Sequence, residues 1–138
     1  MLKLIVGKKG SGKTKKLIDH INEAAAISKG NVVCVEKGPV MTYSISHKIR
    51  LVDIEHYDVV GYDAFYGFLT GILAGNYDIT HLFVDATLRI GGRDLSALAD
   101  MLSKLQKVIA ERGDTEVMFT ISCDKDELPE NIQGMVLD

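Results

Sequence analysis

The sequence is poor in the residues that staple, break or anchor a chain. Across 138 residues it has only two cysteines, Cys34 and Cys123. That is too few for the disulfide framework of a small secreted domain, and neither stands at metal-ligand spacing with His20, His47, His56 or His81. The only prolines are Pro39 and Pro129; with no Pro/Ser-rich stretch, no internal repeat and no low-complexity tract, nothing marks a linker. No apolar run approaches the roughly 18 residues of a membrane-spanning helix. The first apolar stretch is interrupted by Lys3 and lacks a small-residue cleavage site, which argues against a secretory leader. Excess positive charge is absent as well: the net charge is −3, so broad nucleic-acid or membrane-surface binding is not expected. These absences predict a soluble, cytoplasmic protein and one domain over residues 1–138, long enough to bury a core without disulfides or metals.

What is present alternates. Leu2, Leu4, Ile5 and Val6 form a short apolar run ended by Gly7, the pattern of a strand buried on both faces. Leu17, Ile18, Ile21, Ala24 and Ala25 then recur at helical spacing until Gly30. Asn31–Glu36 (NVVCVE) reads as a second buried strand, and residues 49–54 (IRLVDI) as a weaker third. Asp63 is a suitable cap for a helix carrying Phe65, Phe68, Leu69, Ile72 and Leu73, broken at Gly75 and Asn76. Gly67, Gly71 and Gly75 form a stripe on it that would let the sheet approach closely. Residues 81–85 (HLFVD) read as a strand ending in an acid. Asp94 caps a helix with Leu95, Leu98, Leu102, Leu105 and Ile109 at steps of three and four, closed by Gly113, and residues 116–123 (EVMFTISC) read as a last strand. The final fifteen residues are irregular apart from an apolar patch at 135–137. Alternating strands and helices imply an α/β fold, a mainly parallel sheet between two helical layers.

One stretch carries chemistry. Gly7, Lys8, Lys9, Gly10, Ser11, Gly12, Lys13 and Thr14 fit G-x-x-x-x-G-K-S/T at the first strand–helix junction, within a basic island that continues to Lys15 and Lys16. Glycines there let successive backbone N–H groups point at phosphate oxygens, and the helix start adds its positive end; a lysine in the place of Lys13 reaches the β/γ-phosphates, and a threonine in the place of Thr14 ligates Mg²⁺. The sequence therefore resembles the P-loop NTPase superfamily. The resemblance implies a three-layer α/β/α sandwich of that type, a bound ATP or other nucleoside triphosphate, and Mg²⁺. It also implies a Walker B acid at the tip of a buried strand, which Asp85 after Leu82, Phe83 and Val84 matches.

The branch is less direct. Many ATP-hydrolysing families place a glutamate directly after the Walker B acid, where this chain has Ala86. RecA-like ATPases carry it at the end of the strand after the P-loop helix, the place of Glu36, which with Lys13 is the catalytic candidate. In those families a polar residue ending the next strand senses the γ-phosphate, a place open to Thr120 or Ser122. The RecA-like branch also sets a topological expectation, residues 116–123 lying between residues 2–6 and 81–85 in the sheet. A small-molecule kinase is the alternative: Arg89 and Arg93 follow the Walker B strand in a glycine-bearing loop (RIGGR), from which mobile arginines could stabilise a transferring phosphoryl group, although the chain leaves little room for a lid and an acceptor site. A GTPase fits less well, since TISCDKDELPE lacks the Asn-Lys-x-Asp order. The expected function is a Mg²⁺-dependent ATP-binding protein with slow ATPase activity, or a non-hydrolysing regulatory or scaffold module switched by nucleotide. Partners would be the nucleotide and a protein or second copy of the chain.

Overall fold

The structure is a computed structural model and describes residues 1–137; Asp138 lies outside the described residues. Five strands, β1 (Leu2–Gly7), β2 (Asn31–Glu36), β3 (Arg50–Asp53), β4 (Ile79–Val84) and β5 (Glu116–Ser122), form one sheet in the order β1-β5-β4-β2-β3. Every neighbouring pair is parallel. The helices are α1 (Lys13–Ile27), α2 (Tyr62–Ala74), α3 (Thr87–Gly91), α4 (Leu95–Arg112) and α5 (Glu130–Gln133), with short 3-10 turns at Ile54–Tyr57 and Lys125–Glu127.

The strand order explains where the helices sit. The chain crosses the sheet in one direction from β1 to β2 and returns from β3 through β4 to β5. Parallel crossovers keep one hand, so outgoing and returning helices fall on opposite faces. On one face Leu17, Ile21 and Ala24 of α1 pack with Ile5, Val32, Cys34 and Phe83. On the other, Phe65, Leu69 and Leu73 of α2 and Leu98, Leu102 and Leu105 of α4 pack with the alternate strand residues, among them Leu4, Val35, Val84 and Phe119. Phe65 and Phe119, both fully buried, meet edge to face with centroids 6.4 Å apart; burial of each such side chain contributes about 1.5–3 kcal/mol. Among the described residues no helix is long and apolar enough to cross a membrane.

Three expectations need correction. Asp63 does not cap α2; Gly61 does, at φ 86°, while Asp63 lies in the first turn, where its charge still suits the helix dipole. The glycine stripe of α2 does not meet the sheet: Gly67 and Gly71 are exposed, and a Cβ on either would touch nothing within 4 Å. Finally, RIGGR is not simply a loop, because Arg89 lies on α3. The patch at 135–137 has its own place, beside the free edge of β1, where Leu4 N donates to Met135 O at 2.9 Å and Leu137 N to Leu4 O at 2.8 Å.

Candidate functional site

Because the strands are parallel, the carboxyl ends of β1, β5, β4 and β2 share one edge of the sheet. This brings Gly7, Ser122, Asp85 and Glu36 to the same end. The helical connections leave β1 and β4 on opposite faces, the arrangement that opens a crevice at strand tips in α/β sheets.

β1 ends at Gly7, and the chain turns through Lys8–Gly12 into α1. Ser11 N donates to Lys8 O at 3.1 Å to close the turn. Gly10 and Gly12 sit in the left-handed region at φ 83° and 86°, a conformation that disfavours any residue with a Cβ by about 1–2 kcal/mol. At Gly7 a Cβ would come to 2.5 Å from Ser11 Oγ, so a larger residue there would force that hydroxyl to turn away. No side chain caps α1, and its first turn holds no acidic residue. Instead Lys13, Lys15 and Lys16 crowd a helix end whose dipole already repels cations by about 0.3–1 kcal/mol each. An uncapped helix end ringed with lysines has the field and free N–H groups that favour an anion. Lys13 is buried and folds back over the loop, Nζ donating to Lys8 O at 2.9 Å. Burial holds its ammonium below the usual lysine range, with Asp85 and Cys123 opposing.

Asp85 follows β4 directly, continuing the ladder through its N–H to Val35 O at 2.9 Å, and is only 7% exposed. Thr14 Oγ1 donates to Asp85 Oδ2 at 3.2 Å, so the first turn of α1 and the tip of β4 meet. Thr120, one strand over, donates from its hydroxyl to Asp85 Oδ1 and accepts from Ala86 N at 3.0 Å. Thr14 and Asp85 offer only hard oxygen donors, the set that suits Mg²⁺, and the hydrogen bond between them holds the two side chains together at the strand tips. Ala86 adopts φ 58° and Thr87 Oγ1 is buried without a partner among the described residues, so strain and that hydroxyl both fall just beyond Asp85.

The remaining candidates divide. Ser122 lies opposite Gly7 in the β1–β5 register, and its hydroxyl has no partner among the described residues. Arg89 and Arg93 are exposed. The backbone of α3 that carries Arg89 is fixed, however: Lys37 Nζ donates to Arg89 O at 3.1 Å and Tyr62 Oη to Gly92 O at 2.6 Å. Lys8 pairs at 3.8 Å with Asp124, which sequence reasoning did not single out and whose local signal is the capping box it forms with Glu127. Lys9 is exposed.

Glu36 is 1% exposed. The register of β2 with β4 sets it beside Asp85 on the α1 face. Its Oε1 accepts from Val40 N at 3.0 Å and Met41 N at 2.9 Å, so the carboxylate holds the β2–β3 connection. That connection has no helix; it docks on α1 through Asn22, which exchanges bonds with Ser44 O and Ser46 N, and buries Met41 against Leu17 and Ile21. Burial pushes Glu36 above the usual glutamate range, with the N–H groups of Met41 and Val40 opposing and the negative charges of Asp53 and Asp85 adding to the rise.

No protein-family model matches the chain, and no curated protein matches it. A groove of about 280 Å³ between α1 and the sheet, lined by His20, Phe83, Glu116 and Met118 among others, shares no residue with the glycine-rich loop.

Proposed function

We propose that this chain is a P-loop protein of the RecA-like branch that binds ATP, or another nucleoside triphosphate, with Mg²⁺. The observation that carries the reading is the meeting of Thr14 and Asp85 beside an uncapped, glycine-rich helix start. The α/β architecture with helices on both faces is consistent with the three-layer P-loop type. The position of β5 between β1 and β4 supports the RecA-like branch over the kinase and GTPase readings, in which β4 would pair with β1 directly.

In this reading the N–H groups of the loop from Lys8 to Thr14 surround the phosphates, and Lys13 leaves Lys8 O to pair with the β/γ-phosphates. Mg²⁺, when bound, neutralises phosphate charge; Thr14 would hold it by its hydroxyl and Asp85 through water. Ser122 is the hydroxyl still available to a γ-phosphate. Arg89 and Arg93 are accessible to a nucleotide on this chain or on a neighbouring copy.

For turnover, Glu36 is the carboxylate beside the site, and hydrolysis through it is slow because one oxygen is engaged by Val40 and Met41. That engagement, with Ala86 in the place of the other usual glutamate, also favours a second reading, a nucleotide-switched module that does not hydrolyse. Calorimetric titration with ATP and GTP, each with and without Mg²⁺, tests the binding reading: saturable, Mg²⁺-strengthened binding is expected, and no binding of either nucleotide would reject it.

A further inference from the structure

The two hydroxyls on the site face of β5 are not equivalent. Thr120 and Ser122 alternate on one side of the strand, and both were candidates for sensing phosphate. The Ser122 hydroxyl, at the tip, has no hydrogen-bond partner among the described residues. Thr120 is 2% exposed, and both functions of its hydroxyl are spent: the single proton goes to Asp85 Oδ1, and a lone pair takes the N–H of Ala86. A hydroxyl donating to a carboxylate has no proton left for a phosphate oxygen.

Resting on the P-loop reading above, we propose that Thr120 is a positioning residue for Mg²⁺ rather than a phosphate sensor: it anchors Oδ1 of Asp85 so that Oδ2 is presented to Thr14, and holds the chain reversal at Ala86. The geometry gives each contact a task. A carboxylate at a strand tip turns freely about its last torsion. With Oδ1 held by Thr120, the other oxygen is the nearer one to Thr14 Oγ1, at 3.2 Å against 3.5 Å for Oδ1. The bond from Ala86 N to the same hydroxyl ties the left-handed turn at φ 58° to β5, so the carboxylate and the turn that follows it are set by one atom. Such supports around a metal ligand govern metal affinity by 10–100-fold.

The test compares ATP affinity with and without Mg²⁺ in wild type, Thr120→Val and Thr120→Ser, folding being checked by circular dichroism. Thr120→Val should keep Mg²⁺-free affinity within about twofold and lose at least tenfold of the affinity gained on adding Mg²⁺. Thr120→Ser should restore that gain, because it keeps the hydroxyl. A Thr120→Val protein with the full Mg²⁺-dependent gain overturns the proposal and leaves the P-loop reading standing, whereas a wild type that binds no nucleotide in either condition overturns both. If Thr120→Val does not fold, proton–phosphorus NMR of wild type with Mg²⁺–ATP decides: a Thr120 hydroxyl proton uncoupled from phosphorus is expected, and a correlation to the γ-phosphate refutes the assignment.

Discussion

Removing the Glu36 carboxylate should weaken the fold far more than neutralising it. Glu36→Leu deletes the acceptor of two backbone N–H groups, Val40 at 3.0 Å and Met41 at 2.9 Å, and Met41 is buried. Hydrogen bonds to a charged acceptor contribute about 1.5–3 kcal/mol each, so the variant should lose about 3–5 kcal/mol. Glu36→Gln keeps a carbonyl oxygen in the same place. Its bonds are weaker for being neutral, but it also removes a buried charge that burial, Asp53 and Asp85 all disfavour, so the net change should stay within about 1 kcal/mol. The pH dependence gives an independent sign. Glu36 titrates at a higher pH in the native state than its ordinary value of 4.5. Between those two values the folded protein binds more protons, and stability contributed by protonated Glu36 is lost as pH rises through the native value. Wild type should therefore lose ground to Glu36→Gln as pH rises through that window, and the difference should then level. Urea unfolding of the three proteins across this range measures both effects. A Glu36→Leu protein as stable as wild type, or a wild type that gains on Glu36→Gln with rising pH, would refute this account of the carboxylate. Since Glu36→Gln keeps the loop anchored, loss of an ATPase rate in that variant with ATP still bound would mark Glu36 as the base.

Gly67→Ala and Gly71→Ala should each raise stability by about 0.5–1 kcal/mol, because both glycines are exposed inside α2 with nothing near a new Cβ; a drop in denaturation midpoint would mean that the stripe meets a partner. Gly91→Ala should do the opposite, since its Cβ would overlap the Tyr62 ring. A loss of about 1–3 kcal/mol is expected, recovered in part by Tyr62→Leu, and a fully stable single variant would contradict the packing of α3 on α2.

Strands and long helices were legible because each is a short apolar run or a periodic stripe with a stop. The α4 helix has both ends in the sequence, Asp94 accepting from Ser96 N and Ala97 N at 3.1 Å, and Gly113 at φ 85°. The α3 helix was not legible: it has five residues, two adjacent glycines follow Ile90, and it is held by a turn at Ala86 and by Tyr62 from another element. The glycine stripe was misjudged although its direction could be read. Gly67 and Gly71 are offset by two residues, about 200° around a helix, from Phe65 and Leu69, which form the buried face. At the site, spacing nominated Gly7–Thr14 and Asp85, but Thr120 and Ser122 share a face by alternation. Only the register, with Ser122 opposite Gly7 and Phe119 opposite Val84, shows which hydroxyl reaches Asp85. Glu36 was nominated by its place at a strand end, while its hold on Val40 and Met41 depends on the path of a loop that has no periodic pattern.

The most direct measurement is the affinity of the intact protein for ATP with Mg²⁺, compared between wild type and Lys13→Ala. The hydrogen bond of Lys13 goes to the backbone of its own loop, so its loss should leave the fold in place and weaken binding at least tenfold, about 1.4 kcal/mol or more. Equal affinity in the two proteins would contradict the claim that this loop is built to hold a nucleotide's phosphates.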